Sequence, residues 1–260
     1  LPRSQPSTGF TTIGLAALKQ TSYWKVTYSP RLERAHVYSS ECNFACRGCP
    51  YLTGLLKVDP KPLRVEDIKG KLLELKPKAV SFLGREPTVS PDLPGMILFA
   101  KEELGAKVNV TTNGSNPLPR GVDSASISLK AYTDSIHVDY TGRSNRSVLR
   151  NFVEAYESGV RLSASSVLIP GYIDSDEIGR IAEFIAGVDS SIPYHIIGFI
   201  PFGGVPWRAP TMREVKAAVE AARRHLRRVT WSLPNPSLRG YPSALPEPAL
   251  RASVESVRVM

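Results

Sequence analysis

Short β-like apolar runs alternate along this chain with segments whose apolar residues recur at helical spacing, and few folds accommodate that pattern. The β-like runs are Arg34 to Ser40, Ala79 to Leu83, Lys107 to Thr112, Ser124 to Leu129, Leu162 to Ile169, Tyr194 to Ile200 and Val229 to Leu233. Helical stripes lie between most of them. One runs through Val65, Ile68, Leu72 and Leu75, and another through Leu93, Ile97, Ala100 and Leu104 before Gly105. Others are built on Val148, Phe152 and Ala155, and on Ile178, Ile181 and Ile185. The last begins at Thr211, with Glu214 three residues on as a capping-box partner, and carries Val215, Ala218, Val219, Ala222 and Leu226. Such alternation implies parallel strands joined by right-handed crossovers. About six strand–helix units fit between residues 34 and 233. The expected fold is therefore α/β, a partial (β/α)6 barrel, with a doubly wound open sheet as the runner-up. Residues 1–33 read as an N-terminal extension with an aromatic patch of Tyr23, Trp24 and Tyr28. Residues 234–260 read as a C-terminal extension, Pro-rich at first and ending in Val254, Val257 and Val259, a candidate edge strand. In either fold, ligands are expected at the carboxyl ends of the strands.

With 260 residues, 42% of them hydrophobic, the chain can bury a large core. No apolar run approaches the roughly 18 residues of a membrane span. Leu1 to Phe10 lacks the apolar stretch of a secretory signal, so a soluble cytoplasmic protein is expected. The net charge of +9 is uneven: residues 201–260 hold ten Arg and Lys against four Asp and Glu. Arg223, Arg224, Arg227 and Arg228 form a basic run. It suits a helix C-terminus, the charged and solvated surface of a thermophile, or an RNA partner.

The three cysteines, Cys42, Cys46 and Cys49, all fall within eight residues, directly after an expected strand. An odd count in one tight cluster argues against a disulfide framework. The C-x3-C-x2-C spacing lets a short loop wrap three thiolates around one face of an iron–sulfur cubane. A [4Fe–4S] cluster normally takes four cysteines, so three would leave one iron open to a ligand. Two other readings stand beside this one. A zinc ion could take the three thiolates and one of His36, His137, His195 or His225, although none of these sits at a short spacing from the cluster. A redox pair of Cys46 and Cys49 would leave Cys42 without a role.

The same segment resembles the signature of the radical S-adenosylmethionine (SAM) superfamily, and further pieces follow in the family's order. Gly84-Arg85-Glu86-Pro87-Thr88 is similar to its G-G-E-P-T motif, and Thr112-Asn113-Gly114 to its T-N-G segment. Leu129-Lys130 followed by Tyr140-Thr141-Gly142 and Asn145 resembles a run of the activating enzymes of glycyl-radical enzymes, among them pyruvate formate-lyase. Leu168-Ile169-Pro170-Gly171 with Asp174 resembles another. The resemblance implies one [4Fe–4S] cluster on Cys42, Cys46 and Cys49. It implies SAM contacts at Gly84, Arg85, Glu86, Thr112, Asn113, Ser128 and Lys130, with Glu86 near the methionine ammonium. It also implies an electron donor of flavodoxin or ferredoxin type, and a glycine of a partner protein as the site of hydrogen abstraction. Gly48 stands where the family usually sets an aromatic residue against adenine, with Tyr51 or Phe44 as candidate replacements. Arg85 replaces a Gly, Ser128 an Asp, and Thr111 an acidic residue common in the activating enzymes. Modification of RNA or of a small metabolite is the competing enzymatic expectation. A zinc or iron–sulfur binding module is the non-enzymatic one.

Overall fold

The computed structural model describes residues 21–52, 60–202, 204–233 and 257–260. The opening segment Leu1 to Phe10 and the Pro-rich stretch from Pro234 to Pro248 lie outside the described residues.

Seven parallel strands form the frame: β2 (Arg34–Ser39), β3 (Ala79–Gly84), β4 (Lys107–Thr112), β5 (Ser124–Ser128), β6 (Arg161–Leu168), β7 (Tyr194–Gly198) and β8 (Val229–Ser232). Each pairs with the next in sequence, and the order never reverses. A doubly wound sheet reverses at a switch point, so the runner-up fold is excluded. The sheet is unclosed, as a partial barrel requires. Before it comes β1 (Tyr23–Ser29), antiparallel to β2, and Thr27 and Tyr28 pair with β9 (Val257–Arg258) at the outer edge. The aromatic patch of Tyr23 and Trp24 is thus part of a strand, with Tyr23 fully buried beside Phe82.

Six helices supply the crossovers: α1 (Val65–Leu75), α2 (Leu93–Glu102), α3 (Asp134–Thr141), α4 (Arg146–Glu157), α5 (Ser175–Asp189) and α6 (Met212–Arg223). α6 starts with the expected capping box: Glu214 N–H donates to Thr211 Oγ1, and Thr211 N–H to the Glu214 carboxylate. Two connections differ from the expected alternation. β4 reaches β5 with no helix, and β5 reaches β6 through two, α3 being the additional one.

Strand alternation sorts side chains between the two faces of the sheet. Val37, Phe82, Val110, Ile127, Leu162 and Ile196 are buried in one core with helix residues such as Ile68, Met96, Phe152 and Ile181. Each such apolar side chain contributes roughly 1.5–3 kcal/mol on full burial. The alternate positions are half-buried and mostly polar: His36 and Tyr38 on β2, Asn109 and Thr111 on β4, Ser126 and Ser128 on β5, Ser163 and Ser165 on β6. Hydroxyl pairs Ser126–Ser163 (2.9 Å) and Ser128–Ser165 (3.3 Å) make rungs across this face. A complete barrel fills its interior with branched apolar residues; this one keeps a polar lumen. No helix among the described residues is long and apolar enough to cross a membrane.

Candidate functional site

The cysteine loop leaves the carboxyl end of β2 and is held from three sides. At β3, the Arg85 N–H donates to Ser39 O and the Glu86 N–H to Glu41 O (2.8 Å). At β4, Asn113 Nδ2 donates to Asn43 Oδ1 (2.9 Å), while Asn43 Nδ2 donates to Ser115 Oγ (2.7 Å). At α3, the loop meets a helix end whose last carbonyls lack partners within the helix. There the Ala45 N–H donates to Thr141 O and the Arg47 N–H to Tyr140 O, both at 2.9 Å. Arg143 Nε adds a bond to Asn43 O (2.7 Å), and Phe44 packs edge-on against the buried His137. The loop geometry therefore rests largely on its main chain.

Cys46 and Cys49 are half-buried and Cys42 is exposed; none forms a disulfide. The neighbouring thiols help raise the pKa of Cys42 and of Cys46. Burial is the larger cause: it pushes the Cys46 thiol up to about 11, and it also raises Cys42. The ammonium of Lys130, just past β5, opposes both shifts. Among the described residues Lys130 forms no ion pair, so its charge faces the thiols uncompensated. Thiols held this way ionise fully when a metal replaces their protons.

Among the described residues, no three His, Cys, Asp or Glu side chains converge on a single ion. Tetrahedral zinc, with Zn–S near 2.3 Å, needs sulfurs within about 4 Å of one another. A cubane binds each thiolate on a different iron and so takes a wider triangle. With three cysteines in the chain, the thiol set matches a cubane that leaves one iron open, whereas zinc would need a fourth ligand from elsewhere. Two of the four histidines proposed as a fourth zinc ligand are engaged elsewhere: His137 with Arg143 O, and His195 with Thr230 and Ser232.

A sequence model of the Radical SAM superfamily matches residues 37–185, from β2 through most of α5. The chain belongs to the radical SAM superfamily. A Methanocaldococcus jannaschii protein, provisionally named a glycyl-radical enzyme activating enzyme, is 31% identical over 205 residues, covering 74% of this chain and 78% of its own length. Solved structures show the same fold at lower identity. A radical SAM methyltransferase from Sphaerobacter thermophilus superposes with a TM-score of 0.58 at 18% identity, covering 81% of this chain and 69% of that one. A domain of pyruvate-formate lyase-activating enzyme from Bacteroides vulgatus gives 0.51 at 18% identity, covering 59% of this chain and 98% of the domain. Streptococcus suis SuiB bound to S-adenosylmethionine gives 0.58 at 16% identity, covering 77% of this chain and 51% of that one. Radical SAM enzymes use a [4Fe–4S] cluster and S-adenosylmethionine.

Within this radical SAM fold, the residues expected around the ligand separate into two sets. Glu86, Thr112 and Asn113 are buried and tied to one another. Glu86 is fully enclosed, and its carboxylate accepts from Thr88 N–H (3.0 Å), Thr88 Oγ1 (2.6 Å), Thr112 Oγ1 (2.7 Å) and Asn113 N–H (2.6 Å). Through these bonds Glu86 clamps the ends of β3 and β4 together. Gly84 is likewise explained from within. At φ +111, a Cβ would lie 2.7 Å from Ser39 O, so a glycine is needed for the close approach of β2. The second set is half-buried at the strand ends: Arg85, whose guanidinium lies 5.6 Å from the Tyr51 ring, and Ser128 and Lys130 at the end of β5.

Several contributors escaped the sequence reading. Glu177 on α5 is buried, and its carboxylate accepts from the Tyr132 and Thr133 N–H groups (2.6 and 2.7 Å), fixing the turn just past Lys130. Trp207, beyond β7, stacks on Tyr172 (4.8 Å) and lies under the Arg47 guanidinium (5.0 Å), which also pairs with Asp139. Tyr172 Oη donates to the same Asp139 carboxylate.

This aromatic group accounts for Gly48. A Cβ at Gly48 would lie 2.6 Å from Tyr140 Oη and 3.2 Å from Phe199. The room an aromatic side chain would need is already filled from α3 and from the end of β7. Neither expected replacement fills it: Phe44 is buried against His137, and Tyr51 pairs with Arg85. Gly48→Ala is expected to lose about 1–3 kcal/mol of stability by overpacking, and Tyr140→Phe in the same chain to recover part of it. A thermal melt of the two single variants and the double variant reads the coupling; strictly additive losses would show that the contact is not the cause.

Proposed function

We propose that this chain is an activating-type radical SAM enzyme, holding one [4Fe–4S] cluster on Cys42, Cys46 and Cys49 and abstracting hydrogen from a glycine of a partner protein. A cluster held by these three thiolates would supply the electron for reductive cleavage of the SAM C5′–S bond to methionine and the 5′-deoxyadenosyl radical. The observation that carries this reading is a loop of three thiols docked by its own main chain at the strand ends, beside an unpaired lysine.

The protein supplies placement. Lys130 would meet the SAM carboxylate, because an ammonium without a carboxylate partner is best satisfied by an anion. Ser128 and Arg85 border the same mouth and would bind ribose hydroxyl and carboxylate oxygens. Glu86, Thr112 and Asn113 would hold the frame, and the shelf of Tyr140, Phe199 and Trp207 would shield the reacting atoms from water. The electron would come from a flavodoxin- or ferredoxin-type donor. The likeness to the Methanocaldococcus relative, together with Tyr140-Thr141-Gly142 serving as the dock of the cysteine loop, favours activation over other radical reactions. The basic run Arg223 to Arg228 starts at the last residue of α6 and leads to the amino end of β8, away from the cysteine loop, and lends RNA modification no support at the site.

The test is anaerobic reconstitution with iron and sulfide, followed by dithionite and SAM. The expected products are 5′-deoxyadenosine by chromatography and, with the glycyl-radical enzyme encoded nearest to it, a glycyl signal in electron paramagnetic resonance. Zinc without sulfide in the purified protein, or no 5′-deoxyadenosine from a loaded one, would defeat the reading.

A further inference from the structure

At the opposite end of the strands lies a second cavity, of about 860 Å³. That is within the range of small-molecule pockets. Its walls come from the amino ends of strands that are not neighbours. Arg34 opens β2, Arg161 opens β6, Arg228 immediately precedes β8, and Asn109, Ser124 and Ser163 lie between them. Arg34 thus reaches across the lumen to the far strands. From Arg34 to the end of β2 is roughly 17 Å at strand rise, so this cavity is separate from the cysteine mouth.

Its charge is unbalanced. Among the described residues, none of the three guanidinium groups has a carboxylate within ion-pair distance or a side-chain hydrogen bond. Arg34 Nε is buried without any partner. Glu157 and Asp189 stand at the rim, but Asp189 is already engaged by Ser191 N–H and Tyr156 Oη. The carboxyl ends of α4 and α5 favour cations at this end of the barrel, yet none of their carbonyls is bonded to the three arginines. A buried guanidinium N–H left unmet is costly, and guanidinium forks match phosphate and carboxylate oxygens. The neighbouring polar groups are hydroxyls and an amide: Asn109 Nδ2 already donates to Ser124 Oγ (3.1 Å), and Ser163 Oγ pairs with Ser126. The next residue of β2 with its side chain on the lumen face, His36, is held down to about 4 by burial and then by the charges of Arg34 and Lys25.

We propose that this cavity binds a small hydroxylated anion, its phosphate or carboxylate group held by Arg34, Arg161 and Arg228 and its hydroxyls by Asn109, Ser124 and Ser163. The site is independent of the cysteine loop, and its test does not require catalysis.

The experiment is isothermal titration calorimetry of the reconstituted protein with ribose 5-phosphate and with citrate, at constant ionic strength set by potassium chloride. Saturable one-to-one binding of either probe is expected, and the two arms distinguish phosphate from carboxylate. Arg34→Gln should weaken it by roughly tenfold or more, as loss of a charge-assisted contact implies. Arg161 and Arg228 are solvent-exposed, so Arg161→Gln with Arg228→Gln tests the same prediction should Arg34→Gln fail to fold. Binding of neither probe, or binding that the arginine variants leave unchanged, would overturn the proposal. Production of 5′-deoxyadenosine is expected to persist in these variants, so failure here and failure of the cysteine-loop reading are told apart.

Discussion

Replacing Cys42, Cys46 or Cys49 by alanine, one at a time, is expected to leave a folded chain that no longer holds iron. The reason is the division of labour within the loop. Its shape is set by main-chain bonds from Arg85, Glu86, Tyr140 and Thr141, and by the Asn43–Asn113 pair. The Cys42 sulfur contributes little to it, accepting from Phe44 N–H at 3.4 Å and from Asn113 at 3.9 Å. Loss of stability in the metal-free chain should stay within about 1 kcal/mol. Iron and sulfide, by contrast, should fall from about four of each per chain toward zero, because a cubane on two thiolates has no further cysteine to recruit. 5′-Deoxyadenosine should fall below detection with them. The metal-free wild-type chain carries a second signature. With Cys46 held up to about 11 by burial, its thiol is protonated at neutral pH, so alkylation at that residue should be slow at pH 7 and quicken toward pH 11. Iron loading must displace that proton, so reconstitution should improve as pH rises. Circular dichroism, iron content and mass spectrometry of alkylated peptides separate these outcomes. Alanine variants that kept their iron would remove the basis for the cluster assignment.

The sequence carried the frame well because the frame is local. Each parallel strand is a run of four to eight residues whose alternate positions face a core, and hydrophobic pattern reports that directly. The three thiols were legible for the same reason, being eight consecutive residues. What stayed hidden depends on distance in sequence. α3 carries few apolar residues and buries His137, Tyr140 and Thr141 against the cysteine loop, so it shows no stripe. β1 looked like an aromatic appendage because it pairs antiparallel to a frame of parallel strands, and its second partner, β9, lies at the far end of the sequence. The bonds that bury Glu86 and Glu177 were not legible, since their donors lie up to 27 and 45 residues away. Trp207 stands alone beside Pro206, and only the fold brings it to Arg47 and Tyr172. The arginines of the amino-end cavity are likewise scattered over β2, β6 and the approach to β8.

Glu86→Gln is expected to cost about 2–4 kcal/mol of stability and to impair cluster retention beyond that loss. The substitution preserves shape and removes one acceptor. In the wild-type chain, Oε1 takes three donors and Oε2 takes the Asn113 N–H at 2.6 Å. A glutamine can keep its carbonyl toward Thr88 and Thr112 only by turning its NH2 onto the Asn113 N–H, donor against donor. Turned the other way, it sets the NH2 against three donors, which is worse. Either arrangement leaves a buried donor unmet and replaces charge-assisted bonds by neutral ones. Asn113 transmits the damage, because its side chain holds Asn43 and faces Cys42. The comparison that decides is Glu177→Gln. That carboxylate is equally buried and accepts from Tyr132 and Thr133, but it braces the turn after Lys130 and makes no bond to the cysteine loop. The two variants should lose similar stability in a denaturant titration, whereas iron loss should be marked in Glu86→Gln and slight in Glu177→Gln. Equal iron retention at equal stability would mean that the clamp between β3 and β4 supports the fold alone and does not position the thiols.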